Sequence, residues 1–296
     1  FCIFACFSNN SEQLKLDKMQ RVKFLSLASG SSGNCYFLGT DTDGILIDAG
    51  IGIRTIKKTL KDYNIDMGTI RAVFVTHDHA DHIKAVGHLG EKHNIPIYTT
   101  PEIHYGIRRS YCVTEKLTAP HIFYIEKEQP ISIADFEVCC FEVPHDGTDN
   151  VGYCIRILGK TFVFLTDLGH ISDVVASYIA RANYLVIEAN YDREMLKTGP
   201  YPLHLKQRIE SPTGHMCNRD TAEFLANHLH EGLKNIWLCH ISKDNNHPEL
   251  AFKTFEMVFK EKNIQIGKDV QLAVLKRTTP SNLYFFEEKE LSLIHI

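Results

Sequence analysis

The chain reads as an α/β protein in which two β-sheets pack together with helices outside. Three observations lead there. Strand patterns followed by helix patterns recur in both halves of the sequence. Both halves contain continuous apolar runs, Ala72–Thr76 (AVFVT) and Tyr184–Glu188 (YLVIE), as expected of strands covered on both faces. Each half ends in β-α units, and sheets with one apolar face each bury it best against one another.

In order, Val22–Ala28 (VKFLSLA) is a strand, Ser29–Asn34 (SGSSGN) a Gly/Ser turn, and Cys35–Leu38 a second strand. Gly44–Asp48 (GILID) is a third strand, and Ile53–Tyr63 is a helix with Ile53, Ile56 and Leu60 on one face. After the strand Ala72–Thr76 a helix begins near Asp81, and Ile95–Tyr98 is a short strand. The segment Pro101–Pro120 is weakly periodic and should hold one short helix. Phe123–Val143 reads as strands in a meander, and Val151–Leu158 with Thr161–Thr166 as a hairpin around Gly159-Lys160. A helix over Val174–Arg181 precedes the strand Tyr184–Glu188. Tyr191–Thr213 carries three prolines and reads as loop with at most one helix. Asn218 is placed to cap a helix over Arg219–His230. Ile236–Cys239 is a strand, Pro248–Lys262 a helix and Val270–Leu275 a last strand. The segment 1–18 is expected to be an extension preceding the natural start at Met19, residues 19–281 one domain, and 282–296 a tail.

Composition narrows the function. Of 296 residues, 44% are hydrophobic and 23% charged, which excludes wholesale disorder and a collagen-like chain. The net charge is −4, so any nucleic-acid contact must be local rather than a bulk basic surface. No apolar run reaches the roughly 18 residues of a membrane span, so no membrane partner is expected. Nine cysteines without a C-x-x-C pair resemble neither a disulfide framework nor a zinc ribbon; reduced thiols in a cytoplasmic protein are expected. A homodimer is left open. The outlier is histidine, at 16 residues.

The histidines concentrate the chemistry. The strand Ala72–Thr76 runs into His77-Asp78-His79-Ala80-Asp81-His82, with three imidazoles and two carboxylates in six residues. His77 and His79 leave a strand end, where alternate side chains point the same way, and can meet one metal ion. Asp81 and His82 sit at a helix start, turned away, and can meet a second. Nitrogen and oxygen donors without thiolate suit Zn²⁺, Mn²⁺ or Fe²⁺.

This H-x-H-x-D-H pattern after a buried strand resembles the signature of the metallo-β-lactamase superfamily. The resemblance implies a four-layer αβ/βα sandwich and two divalent metal ions, Zn or Mn. It extends over roughly residues 19–275. In the family's order, Asp48 matches the residue that orients the metal-binding loop, His145 (VPHD) the third histidine, Asp167 (FLTD) the bridging carboxylate and His240 (LCHIS) the last histidine. The ligand sets implied are His77, His79 and His145 for one ion and Asp81, His82 and His240 for the other, with Asp167 shared. Asp81 and Asp48 also count among the residues implied to support catalysis.

Three features bear on the branch. Glu188 at a strand end, Gly214-His215 before a helix, and then His240 resemble the order in ribonuclease Z, ribonuclease J and related nucleases. There the carboxylate and first histidine imply a proton-delivering pair for a leaving oxygen. The Gly/Ser turn could hold a phosphate through Ser31, Ser32 and Asn34, although a plain hairpin turn fits it nearly as well. Only 72 residues separate Asp167 from His240, too few for the inserted domain of ribonuclease J. The strings LASGSSGN, LIDAG, THDHADH, FLTD, EANYD and LCHIS resemble the small bacterial WalJ/YycJ (VicX) group. Met216-Cys217 departs from that pattern after His215. The resemblance implies an exonuclease acting on DNA or RNA. A small-molecule hydrolase of the glyoxalase II or lactonase kind, or a regulatory partner of a two-component system, is the alternative. A surface built from Arg108, Arg109, Lys197, Lys206 and Arg208 beside the metals would favour nucleic acid, and a narrow apolar pocket a small molecule.

Overall fold

A computed structural model describes residues 21–287. The first half opens with an antiparallel meander of β1 (Arg21–Ala28), β2 (Cys35–Gly39) and β3 (Gly44–Ile47). Helix α1 (Ile53–Asp62), burying Ile56 and Leu60, leads to β4 (Ile70–Phe74), which runs parallel to β3. Helices α2 (Ala80–Ile83) and α3 (Val86–His93) lead to β5 (Ile97–Thr99), and α4 (Pro101–Arg109) to β6 (Ile122–Tyr124), each strand again parallel to its predecessor.

The second half repeats this plan. Strands β7 (Ile131–Ile133), β8 (Phe136–Glu142), β9 (Val151–Ile157) and β10 (Lys160–Leu165) are antiparallel neighbours. Helix α5 (Asp173–Ile179) crosses to β11 (Tyr184–Glu188). Helices α6 (Arg193–Thr198), α7 (Leu203–Ile209) and α8 (Asn218–Asn227) precede β12 (Asn235–Cys239), and α9 (Pro248–Glu261) precedes β13 (Gln271–Val274). Strands β10 to β13 run parallel. The chain then returns to the first sheet as β14 (Tyr284–Glu287), antiparallel to β1. Each sheet has seven strands, in the orders β14-β1-β2-β3-β4-β5-β6 and β13-β12-β11-β10-β9-β8-β7.

The inner faces meet through aromatic side chains. Phe24 of β1 packs on Trp237 of β12 (ring centroids 4.4 Å apart) and on Phe164 of β10 (6.0 Å), which also meets Tyr36 of β2. A second apolar layer, including Val175, Leu225, Phe255 and Phe259, lies where α5, α8 and α9 cover the second sheet. Burying a side chain of this size stabilises by about 1.5–3 kcal/mol before ordering entropy is subtracted. This is the four-layer sandwich expected.

Four local expectations are corrected. Residues 122–124 do not begin the meander; they pair in parallel with β5 (Ile97 opposite Ile122), because the α4 crossover returns them to the first sheet. The segment 191–213 holds two short helices rather than at most one. The cap of α8 is Cys217, whose sulfur accepts from the Asp220 N–H; Asn218 is buried and bonds Asn246. The stretch from 282, expected as a tail, contains β14, whose Phe286 packs on Tyr184 and Trp237. The expected extension 1–18 lies outside the described residues, as does the chain beyond 287.

Candidate metal centre

Parallel strands align their carboxyl ends, and ligands in such folds gather outside that edge. Asp48 follows β3, His77 and His79 follow β4, His145 follows β8, Asp167 follows β10, Glu188 ends β11 and His240 follows β12. Backbone bonds fix the turn that carries Asp81 and His82: Asn34 N–H donates to the Asp81 carbonyl and Ala49 N–H to the His82 carbonyl, both at 2.8 Å. Gly50 allows this approach, since a Cβ there would lie 1.6 Å from the Asp81 carbonyl oxygen. Asp48 (φ 58°) and His240 (φ 51°) both occupy the left-handed region, an outlier that costs on the order of 1–3 kcal/mol per residue and clusters at functional sites.

Two ligand sets result. In the first, donor atoms of His77, His79 and His145 lie within 4.8 Å of one another. His77 Nε2 is 3.0 Å from His79 Nδ1. His145 Nδ1–H donates to the Gly214 carbonyl (2.8 Å), so Nε2 carries the lone pair, and that atom is buried without a partner among the described residues. The second set is Asp81, His82 and His240. His82 Nδ1–H donates to Asp48 Oδ2 (2.7 Å), turning Nε2 toward Asp167 Oδ2 (3.2 Å) and Asp81 Oδ2 (3.7 Å). His240 Nε2 is 3.4 Å from Asp81 Oδ2. Asp167 lies between the sets: Oδ1 is 3.6 Å from His145 Nε2, and Oδ2 is buried with no hydrogen bond. Buried lone pairs cost free energy unless something meets them. These orphaned atoms and this donor chemistry fit divalent metal ions.

The electrostatics agree. Burial holds His77 and His79 below the usual imidazole range, leaving neutral donors. Burial also disfavours charge on His82 and His240, but carboxylates outweigh it. Asp48, Asp167 and Asp81 hold His82 well above its usual range, and Asp167, Asp81 and Glu188 push His240 up to about 10. Burial works against the Asp167 charge, yet His240 and His82 hold that carboxyl well below the usual range.

Glu188 and His215 meet. His215 Nδ1–H donates to Glu188 Oε1 at 2.7 Å, and Glu188 is fully buried. The same Oε1 accepts from His240 Nδ1 (2.9 Å), while Oε2 accepts from the backbone N–H of Leu168 (3.1 Å) and Met216 (2.9 Å). Glu188 therefore orients two imidazoles, where sequence reading gave it one. Burial opposes charge on His215, but Glu188 beside it raises its pKa. His215 Nε2 has no partner among the described residues.

The Gly/Ser turn divides its residues. Ser31 and Ser32 are exposed. Asn34, expected beside them on substrate, is instead fully buried: it bonds both polar groups of Gly30 and brings Nδ2 to 2.9 Å from His82 Nε2. Of the five basic residues singled out, Arg208 is taken by Asp146 (2.5 Å), and Lys206 donates to the Lys197 carbonyl (2.7 Å). Arg108 and Arg109 lie on α4.

Sequence reading missed several supporting groups. Thr76 Oγ1 joins Asp48 (2.9 Å) to His77 Nδ1 (3.0 Å). Asn190 Nδ2 donates to the His240 carbonyl (2.8 Å). Asp146 Oδ1 is buried without a hydrogen bond, 3.3 Å from His145 Nε2 and 3.9 Å from His79 Nε2. Each adjoins a recognised residue in sequence or across a strand pair, the only signal that marked it.

A profile described as the Beta-lactamase superfamily domain matches residues 44–241. The chain is 32% identical over 262 residues to exodeoxyribonuclease YycJ of Bacillus anthracis, covering 88% of this chain and 98% of that protein. It is 36% identical over 251 residues to exodeoxyribonuclease WalJ of Streptococcus pneumoniae, covering 84% and 93%. The crystal structure of the metallo-β-lactamase fold protein YhfI from Bacillus subtilis superposes with a TM-score of 0.65 at 17% identity, covering 88% of this chain and 99% of that one. With the profile spanning most of the chain and two such relatives matched over nearly their full length, the chain belongs to the metallo-β-lactamase superfamily.

Proposed function

We propose that this protein is a metal-dependent phosphodiesterase acting on nucleic acid, an exonuclease on DNA in the manner its relatives' names state. The observation that carries this reading is the Glu188–His215 pair beside the two ligand sets. A thioester's thiolate leaves without protonation, whereas a departing ribose or deoxyribose oxygen calls for a general acid at the leaving group.

His77, His79 and His145 would hold one Zn or Mn ion and Asp81, His82 and His240 the other, with Asp167 common to both. Bound divalent ions in such sites polarise a phosphate and lower the pKa of water to near neutrality. The chain's own residues do the rest. Asp48 fixes the His82 tautomer, and Thr76 ties that carboxylate to His77, as metal-binding imidazoles require. Glu188 keeps the proton on Nδ1 of both His215 and His240. His215 then presents Nε2–H to the leaving oxygen when its ring is protonated. Ser31 and Ser32 offer exposed hydroxyls to a phosphate, while Asn34 keeps the turn closed against the Asp81–His82 segment.

The test is hydrolysis by metal-reconstituted protein of labelled single- and double-stranded DNA and RNA, with a thioester and a lactone alongside. Release of nucleotides from DNA supports the reading. Turnover of the thioester or lactone alone overturns it.

A further inference from the structure

A metal-binding imidazole is held in place by donating the proton of its second nitrogen to an acceptor behind it. Four of the five histidines in the two ligand sets do so. His77 meets Thr76 Oγ1 (3.0 Å), His145 the Gly214 carbonyl (2.8 Å), His82 Asp48 Oδ2 (2.7 Å) and His240 Glu188 Oε1 (2.9 Å), each through Nδ1. His79 is the exception. Its Nδ1 faces His77 Nε2 at 3.0 Å, inside the first set, so Nε2 is the nitrogen left to donate. Among the described residues that nitrogen has no hydrogen bond.

One acceptor stands beside it. Asp146 Oδ1 is buried, has no hydrogen bond and lies 3.9 Å from His79 Nε2. A buried carboxylate oxygen without a donor costs free energy. The other nitrogen close to Oδ1 is His145 Nε2, at 3.3 Å. That atom has no proton to give, because His145 places its N–H on Gly214 through Nδ1. His79 Nε2–H is therefore the donor that Asp146 Oδ1 faces. The gap exceeds a hydrogen bond by about 1 Å. A small turn of the side-chain torsions closes it, and the His79 side chain is 32% exposed, with room to turn.

Arg208 holds the carboxylate from its far side. Its Nε–H donates to Asp146 Oδ2 at 2.5 Å, which leaves Oδ1 for the histidines. Arg208 lies in the last turn of α7, against the segment that carries His215. His215 N–H donates to the Ile209 carbonyl (2.9 Å), and a Cβ on Gly214 would lie 2.3 Å from the Arg208 carbonyl oxygen. The second ligand set shows the same plan. There Thr76 N–H holds Asp48 Oδ1 (2.8 Å) while Oδ2 takes the His82 proton.

We propose that Asp146 is a positioning residue for His79, accepting its Nε2–H, and that Arg208 holds Asp146 for that task. The inference rests on the ion site at His77, His79 and His145 proposed above. It adds two residues outside the ligand sets and ties the end of α7 to the first set.

The experiment uses the full chain with isotope-labelled histidine. Zn²⁺ binding is followed by calorimetry, and the imidazole N–H protons of the Zn²⁺-loaded protein by NMR. In the wild type, His79 Nε2–H should give a slowly exchanging resonance. Asp146→Ala should abolish it and weaken one of the two Zn²⁺ binding steps roughly 10- to 100-fold, the usual cost of removing such a partner. Asp146→Asn keeps an acceptor oxygen and should lose less. Arg208→Gln should weaken the same step by less than Asp146→Ala, because Asp146 remains. The Asp146 and Arg208 side chains are 33% and 55% exposed, so these substitutions leave the core intact. Wild-type resonance and Zn²⁺ affinity in Asp146→Ala overturn the assignment. So does weakened Zn²⁺ binding with the His79 resonance intact, which would make Asp146 a direct ligand. An Arg208→Gln protein changed only in its KM on DNA overturns the role given to Arg208, making it a substrate contact. A wild type that binds no Zn²⁺ overturns the metal site together with this inference.

Discussion

Glu188 is the residue at which one atom's exchange has the most legible consequence. Its four hydrogen-bond neighbours all donate: the Nδ1–H groups of His215 and His240 to Oε1, and the N–H groups of Leu168 and Met216 to Oε2. Glu188→Gln keeps the shape but replaces one acceptor by an NH₂ donor. Turned toward the backbone, that NH₂ leaves two buried N–H groups without an acceptor, at about 1–3 kcal/mol each, or roughly 2–6 kcal/mol of stability. Turned toward the imidazoles, it forces both protons from Nδ1 to Nε2, and His240 can no longer offer Nε2 to a metal. Loss of such an outer partner typically weakens metal binding 10- to 100-fold. Either way the variant should fail in the metal-free protein's denaturation midpoint or in metal retained after dialysis, besides losing activity. His215→Ala leaves three of the four donors in place and should do neither. A Glu188→Gln protein matching wild type in both midpoint and metal content would refute the assignment of Glu188 to two imidazoles.

Three further outcomes are expected. His215→Ala should lower turnover on DNA by roughly 10²- to 10⁴-fold, the range for a positioned general acid. Much of its activity should return on a nitrophenyl phosphodiester, whose leaving group needs no proton; an equal loss on both substrates would make His215 structural. Metal-free protein should lose stability as pH rises. His82 and His240 are raised in the fold, so their contribution is complete below the unfolded value of about 6.5 and fades as pH rises through their folded values, about 10 for His240. Metal affinity should climb over the same window as those protons leave, which denaturation midpoints and metal titrations at pH 6–9 would show; a midpoint that rises with pH would contradict it. Gly50→Ala places a methyl 1.6 Å from the Asp81 carbonyl, so the Asp81–His82 turn must move. The expected cost is about 1–3 kcal/mol, with loss of one ion before the other, read by melting temperature and elemental analysis.

The sequence carried the site further than its supports. His77, His79, Asp81 and His82 lie in one run, while the singles Asp48, His145, Asp167 and His240, each ending or following an apolar strand, were marked by the resemblance to the family's order of motifs rather than by pattern alone. What periodicity could not supply was anything decided by contact. Strand β6 is three residues long, too short to show a period, and its sheet is chosen by the α4 crossover. Residues 282–287 looked like a tail because pairing with β1, not local pattern, makes them a strand. Asn34 looked like a substrate residue in a polar turn; only the packing of that turn against Asp81 and His82 buries it. The second imidazole on Glu188 was hidden because residues 188 and 240 meet only through the parallel pairing of β11 and β12, where Glu188 lies opposite Cys239. No helix among the described residues is long and apolar enough to cross a membrane.

The central claim is that two ions, held by the two histidine sets and joined through Asp167, are needed together for phosphodiester cleavage. It is tested most directly by titrating metal-free protein with Zn²⁺ or Mn²⁺ while following hydrolysis of labelled DNA. The account predicts little activity through the first equivalent, a steep rise through the second and saturation at two per chain. Saturation at one equivalent, or full loading with DNA left intact, would contradict it.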